Sequence, residues 1–332
     1  MRRPPAVARV LERVTETARD HSMFDPGQTV LVACSGGPDS VCLLYSLFHL
    51  RRLFRIRPQV FHFDHGLRAD ASKDGAYVSR TAARLGLPFH LRAAPASPPR
   101  GASVELWART ERLRAARAVM REMGAERLAL GHTLDDQAET VLLGLVLGWG
   151  PEAIAGMGPV SGSDVRPLLA VTRDEVEAFC RALGLRPRRD PTNRDTRFVR
   201  NALRLRAIPA IEAATGRNVK ATIARTAELL RLDLETLAAD AATAAGRLVE
   251  PTPEGCRMDA AELQALPRPI SGRVVRRALG SIGASWTMAD VEGVLDLADG
   301  RPGRRRDLGA GLNASRDREY VSLSRASPES RV

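Results

Sequence analysis

"TVLVACSGGPDSVCLLYSLFHL", residues 29–50, decides how the chain folds. The apolar run TVLVAC reads as a buried strand, and the apolar spacing of DSVCLLYSLFHL reads as a helix. Between them lie two glycines, a proline, an aspartate and two serines. A glycine pair directly after a strand lets the backbone approach a ligand closely, and the N–H groups of the following helix start point at an anion. An ordinary strand-to-helix turn, with Asp39 as an N-terminal acid, is the alternative reading.

The strand-helix pattern repeats downstream. PQVFHFDHG, LPFHLRAA and ERLALGH read as strands. KDGAYVSRTAARLG, SVELWARTERLRAARAVMREMG and LDDQAETVLLGLVLG read as helices. Such alternation predicts an α/β fold, a Rossmann-like doubly wound parallel sheet whose ligands sit beyond the C-terminal strand ends. The texture then changes at RPRRDPTNRDTRFVRN, which is polar and arginine-rich. From Ala202 the chain reads mostly as helices, closed by a basic turn, RPGRRRDLG, and a short strand in REYVSLSRA. The expected domains are a catalytic one over 1–209 and a second, smaller helical one over 210–332. No repeat of fixed period is present.

The 332 residues are 44% hydrophobic and 27% charged, the make-up of a soluble globular protein. No apolar stretch reaches the span of a bilayer and MRRPPAVARV lacks a signal-peptide core, so a cytoplasmic location without membrane contact is expected. The formal charge of +11 favours a polyanionic partner. Lys73 and Lys220 are the only lysines, so nearly all of that charge is guanidinium, through GC-rich codon usage or selection for phosphate recognition. Cys34, Cys42, Cys180 and Cys256 are scattered without a C-x-x-C pair, which argues against a zinc site, a dithiol redox site or a cysteine-held cluster.

Three further stretches carry chemistry. The loop itself, Ser35, Gly36, Gly37, Pro38, Asp39 and Ser40, is not a P-loop, because the lysine of G-x-x-x-x-G-K-[ST] is missing. In GHTLDDQAET, residues 131–140, a helix starting near Thr133 puts Asp135, Asp136 and Glu139 on one face beside His132. Such carboxylates hold Mg²⁺, bind an ammonium group or remove a proton. In HFDHGLRADASKD, His62, Asp64, His65 and Arg68 leave another strand end, within reach of a base, a ribose or an acceptor. Alternation sends His65 away from His62 and Asp64, which weakens a metal reading. Arg109 and Arg112 share one face of the long helix, and Glu105, four before Arg109, offers an ordinary surface ion pair as the alternative reading.

S-G-G-x-D-S after a strand resembles the pyrophosphate loop of ATP pyrophosphatases, which cleave ATP between the α and β phosphates with Mg²⁺. With SGGPDS, DHGLR, VELWARTERLR, GHTLDDQAETVLLGLVLGWG, RPLLAVTRDEVEAF and DPTNRDTRFVRNALR in order, about the first 210 residues resemble the tRNA(Ile)-lysidine synthase family. That resemblance implies adenylation of the wobble cytidine of tRNA(Ile) with a CAU anticodon, followed by attack of free L-lysine to give lysidine. It implies catalytic roles for Asp39, Arg112, His132, Asp136 and Glu139, and ATP contacts from residues 35–40 and His65. It further implies tRNA contacts from Arg109, Arg200, Asn201 and Arg204, and Mg²⁺ on Asp39 and Asp135. A homodimer is compatible with the sequence. Leu113 departs from the family's usual tyrosine, and acceptor-stem recognition, if present, is expected within 210–332. The alternatives are another tRNA-modifying enzyme with the same loop, of the 2-thiocytidine type, and a non-catalytic ATP- or RNA-binding module.

Overall fold

In the computed structural model a helix, α1 (Pro5–Asp20), precedes the strand read from the opening stretch, β1 (Thr29–Ala33), and α2 (Pro38–Leu50) follows it. The structure describes residues 3–66, 71–94, 98–99, 101, 103–188, 195–283, 285–309 and 311–325. Then come β2 (Arg57–Asp64), α3 (Ala71–Leu85), β3 (Phe89–Ala93), α4 (Val104–Met123), β4 (Arg127–Ala129), α5 (Leu134–Val146), α6 (Pro151–Ile154), β5 (Val160–Ser161), β6 (Asp164–Val165) and α7 (Arg173–Ala182). After α8 (Val199–Ala202) a π-helical turn spans Leu203–Ala207, and α9 (Ile208–Thr215) and α10 (Val219–Leu248) continue the chain.

The strands form one sheet in the order β3-β2-β1-β4-β6-β5, parallel except for the β5–β6 pair. Alternation along β1 explains why it reads as continuously apolar. Val30 and Val32 pack into the core shared with α1, α2 and α7, whereas Leu31 packs on the other face with Phe61, Val119 and Leu128. A sheet covered on both faces needs apolar residues at every position. Burying a side chain the size of Leu31 stabilises by roughly 1.5–3 kcal/mol, so Leu31→Ala strikes at the sheet's second core.

The chain packs as two compact units, Met1–Leu230 and Arg231–Val332, the first taking in α9 and the start of α10 beyond the 209/210 boundary read from the sequence. The second unit contains β7 (Val249–Thr252), β8 (Gly255–Asp259), α11 (Ala260–Ala265), α12 (Arg268–Ser281), α13 (Met288–Ala298), β9 (Arg305–Gly309), β10 (Leu312–Arg316) and β11 (Tyr320–Arg325). To the expected helices it adds an antiparallel sheet in the order β7-β8-β11-β10-β9. Only β11 was legible beforehand. A strand such as β8 buries just Cys256 and Met258, and alternation that short does not stand out. Among the described residues no helix is long and apolar enough to cross a membrane.

Candidate active site at the β1–β4 crossover

The sheet order opens the site. From β1 the chain moves outward through β2 to β3 and then returns to β4 on the other side of β1, so the loops after β1 and β4 diverge and leave a crevice between them. In the first loop Gly36 takes φ +91°, a conformation that side chains resist. The Ser40 hydroxyl shapes this loop: it accepts from the Ser35 and Gly36 amides at 3.1 and 3.2 Å and donates to the Gly37 carbonyl at 2.9 Å. The Arg188 amide donates to the Gly36 carbonyl at 2.9 Å, and the buried His62 holds the Cys34 carbonyl through Nδ1 at 2.8 Å. Gly131, at the start of the second loop, lets the two motifs touch, since a Cβ there would stand 3.3 Å from the backbone of Asp39 and Ser40.

The second loop starts α5 with a capping box. The Thr133 amide donates to Asp136 Oδ2 at 2.9 Å and the Asp136 amide donates back to Thr133 Oγ1 at 3.4 Å. Asp136 Oδ1 then faces Arg173 Nη2 at 3.3 Å and Arg204 Nη2 at 3.7 Å. One turn on, Glu139 is 1% exposed and takes both arms of Arg204, Nε at 2.6 Å and Nη2 at 2.8 Å. Asp135 accepts from Lys220 Nζ and from the Arg173 amide, each at 2.8 Å. Arg173 Nη2 also lies 3.7 Å from Asp39 Oδ2 across the crevice. Asp39 Oδ1 is buried and has no hydrogen-bond partner.

Four carboxylates thus meet three cations, and the imbalance falls on Asp39. Burial, reinforced by Asp136 and Asp135 and opposed by Arg173 and Arg204, pushes the Asp39 carboxyl up to about 6. Burial also lifts Glu139 above its ordinary value despite Arg204. For Asp135 burial is outweighed by Lys220 and the Arg173 amide, and its carboxyl is held low. Asp135 was expected as a metal ligand. Both of its oxygens are taken, which leaves Asp39 as the carboxylate with an open position. Beside Asp135 lies a polar cavity of about 350 Å³ lined also by Thr172, Asp174, Glu212, Arg217 and Lys220.

His132 stands on the other side. Its buried Nδ1 has no hydrogen-bond partner, and burial together with Arg166, Arg112 and Arg109, opposed by Asp136, pushes its imidazole down to about 4, so it is neutral at neutral pH. Arg112 is half-buried and Arg109 exposed on α4. His65 packs edge-on against Phe63 with ring centroids 4.9 Å apart. Arg68 lies outside the described residues. Of the residues expected to grip tRNA, two face inward. Arg204 is engaged by Glu139, and the buried Asn201 donates to the Asp195 carbonyl at 2.9 Å. Their i, i+3 spacing puts both on the side that packs on α5. Arg200 is half-buried. All four cysteines are buried and free.

Sequence reasoning assigned no role to Arg166, Arg173 or Lys220. Arg173 and Lys220 did leave a signal: each is a cation in the first turn of a helix, where the helix dipole disfavours it. Their partners are the carboxylates of α5.

Residues 7–211 match the family model of the PP-loop domain, which defines the class of protein to which this fold and loop belong. Among curated proteins, the tRNA(Ile)-lysidine synthase of Symbiobacterium thermophilum is 39% identical over 83% of this chain and 60% of its own length. That of Methylobacterium nodulans is 39% identical over 89% of this chain and 88% of its own length. The chain belongs to the tRNA(Ile)-lysidine synthase family. It spans 60% and 68% of the length of the relatives from Symbiobacterium and Solibacter usitatus. Among solved structures, the U34-tRNA thiolase NcsA from Methanococcus maripaludis, with its [4Fe-4S] cluster, superposes with a TM-score of 0.58 at 17% identity, over 68% of this chain and 80% of that one. That likeness concerns the fold alone.

Proposed function

We propose that the chain joins L-lysine to C2 of the wobble cytidine of a CAU-anticodon tRNA(Ile), at the expense of ATP cleaved to AMP and pyrophosphate. The observation that carries the reading is Asp39. A buried carboxylate oxygen without a partner, beside a glycine loop at a crossover, has a vacancy for a cation that accompanies phosphate. The names of the curated relatives support the same reaction.

In the first step the cytosine C2 oxygen attacks the α phosphorus and the bond to the β-phosphate bridging oxygen breaks. The residue 35–37 backbone and the start of α2 face the pyrophosphate, and Arg112 neutralises charge at the α phosphate. Among the described residues no three His, Cys, Asp or Glu side chains are grouped to hold a metal by themselves. The donor set therefore fits Mg²⁺ bound through Asp39 with phosphate oxygens and waters as the other ligands, a common arrangement for this ion. Mg²⁺, when bound, neutralises the leaving pyrophosphate. In the second step the ε-amine of lysine attacks C2 and AMP leaves. Asp136 and Glu139 take the ammonium and the proton it must lose once it displaces the Arg173 and Arg204 contacts that occupy them in this structure, since only the free amine is nucleophilic. The neutral His132 imidazole orients the reacting groups by hydrogen bonding without adding charge. Arg109 and Arg200 contact the tRNA backbone.

The test is to incubate the protein with ATP, Mg²⁺, labelled lysine and CAU-anticodon tRNA, digest the RNA and weigh the nucleosides. Lysidine is the expected product. Its absence with every CAU tRNA overturns the proposal.

A further inference from the structure

Arg166 follows β6 directly and is 8% exposed, an unusual degree of burial for a guanidinium. Its Nη1 donates to the Gly158 carbonyl at 2.6 Å, but its Nε is buried and has no hydrogen-bond partner. The sheet fixes where it stands. Val165 pairs with Ala129, and the Leu130 amide donates to the Val165 carbonyl at 2.9 Å, so Arg166 leaves the sheet at the same C-terminal edge as His132, two residues beyond Leu130. There it meets Arg109 and Arg112 from α4 closely enough that all three arginines disfavour a charge on His132, and Arg109 disfavours the charge on both other arginines.

Such a cluster calls for negative charge. Asp164 supplies part of it to Arg166 while being held by Arg117 at 2.6 Å. Asp136 is spent on the Thr133 cap and on Arg173. Among the described residues no carboxylate pairs with Arg109, Arg112 or Arg166. Two buried polar atoms, His132 Nδ1 and Arg166 Nε, remain open at the same edge. A buried group kept unsatisfied costs about 1–3 kcal/mol, more when charged, so a ligand that satisfies it binds at an advantage.

We propose that Arg166 is a further phosphate-binding residue of the crevice, completing with Arg109 and Arg112 a pocket around His132 that takes a phosphoryl group. The proposal rests on the reading that the crevice handles ATP and RNA. ATP and the RNA backbone both present this chemistry, and the experiment separates them.

Arg166→Gln removes the charge and keeps an N–H donor for the Gly158 carbonyl. Affinities for ATP and for CAU-anticodon tRNA are measured by calorimetry for this variant, the wild type and Arg114→Met, which removes an exposed arginine of α4 as a charge control. At least a tenfold loss confined to ATP assigns the pocket to the nucleotide. A tenfold loss for tRNA, with the slope of log K against log salt lowered by roughly 0.7, assigns it to the RNA backbone. Affinities within twofold of wild type for both ligands overturn the proposal and leave Arg166 as a prop for Gly158. Should Arg166→Gln not fold, NMR of His132 in the wild type decides. Saturating inorganic pyrophosphate, which arrives as an anion, raises the pKa of that ring by a unit or more, and an unmoved ring overturns the proposal. Neither readout depends on lysidine formation, so failure of the overall reaction and failure of this pocket are distinguishable.

Discussion

Asp39→Asn is expected to make the protein more stable while abolishing pyrophosphate release. The Asp39 carboxyl titrates near 6 in the folded protein against 3.8 when free, because burial opposes its charge and no donor reaches Oδ1. A raised folded pKa means the folded state holds the proton more tightly, so the stability linked to this group is fully present below about pH 4 and is lost as pH rises to about 6. Two pKa units at about 1.4 kcal/mol each give a cost of about 3 kcal/mol at pH 8. At pH 5, where the free carboxylate is ionised and the folded one mostly is not, the cost is about half that. Asparagine keeps the shape without the charge and leaves an oxygen for Arg173, which lies 3.7 Å away. Urea unfolding should therefore favour the variant by about 3 kcal/mol at pH 8 and by roughly half as much at pH 5. Mg²⁺ should narrow the gap by stabilising only the wild type. A gain that is the same at both pH values, or a variant less stable at pH 8, refutes the argument that Asp39 carries the charge imbalance of the site.

Two other substitutions probe the same cluster. Arg204→Met leaves the buried Glu139 with only Arg173 at 3.9 Å and should cost about 3 kcal/mol in denaturant unfolding, more than Glu139→Gln, after which Arg204 keeps Asp136 at 3.7 Å; Glu139→Gln should keep pyrophosphate release and lose lysine transfer, as read by separate pyrophosphate and lysidine assays. Lys220→Met removes the ammonium that holds the Asp135 carboxyl low. The lost stability belongs to the ionised carboxylate, so the variant should be less stable at pH 7 and approach the wild type as pH falls below about 4, measured by thermal unfolding across pH.

The sheet was legible because a parallel strand covered on both faces must be apolar along its buried stretch; β1 carries that mark over its length, and β2 and β4 carry it only in Val60–Phe61 and Leu128–Ala129. The two crevice motifs were legible for a related reason: glycines and acids directly after such strands have few structural uses. Pairing was not legible. Arg204 reads as one basic residue among many in RNALR, and only the packing of its helical turn on α5 brings it to Glu139, 65 residues away in sequence. Lys220 reaches Asp135 across 85 residues for the same reason. The small sheet of the second unit was hidden by strands that bury at most two side chains each.

The electrostatic division of the crevice follows from this topology. α4, which covers one face of β1, β2 and β4, and the end of β6 bring Arg109, Arg112 and Arg166 around an uncharged histidine. The start of α5 sets Asp135, Asp136 and Glu139 against Asp39 of α2. One half has arginines in excess of carboxylates, and the other has a carboxylate whose burial opposes its charge and whose Oδ1 is open. A polyanion suits the first and an ammonium or metal ion the second, and each ligand lowers the cost of the other by completing the neutralisation. A binding module for ATP or RNA alone has use for the arginine half and, through Mg²⁺, for Asp39, but not for Asp136 and Glu139. The buried carboxylates, which cost stability as long as they stay incompletely compensated, fit the proposed reaction, in which an amine attacks an adenylated base.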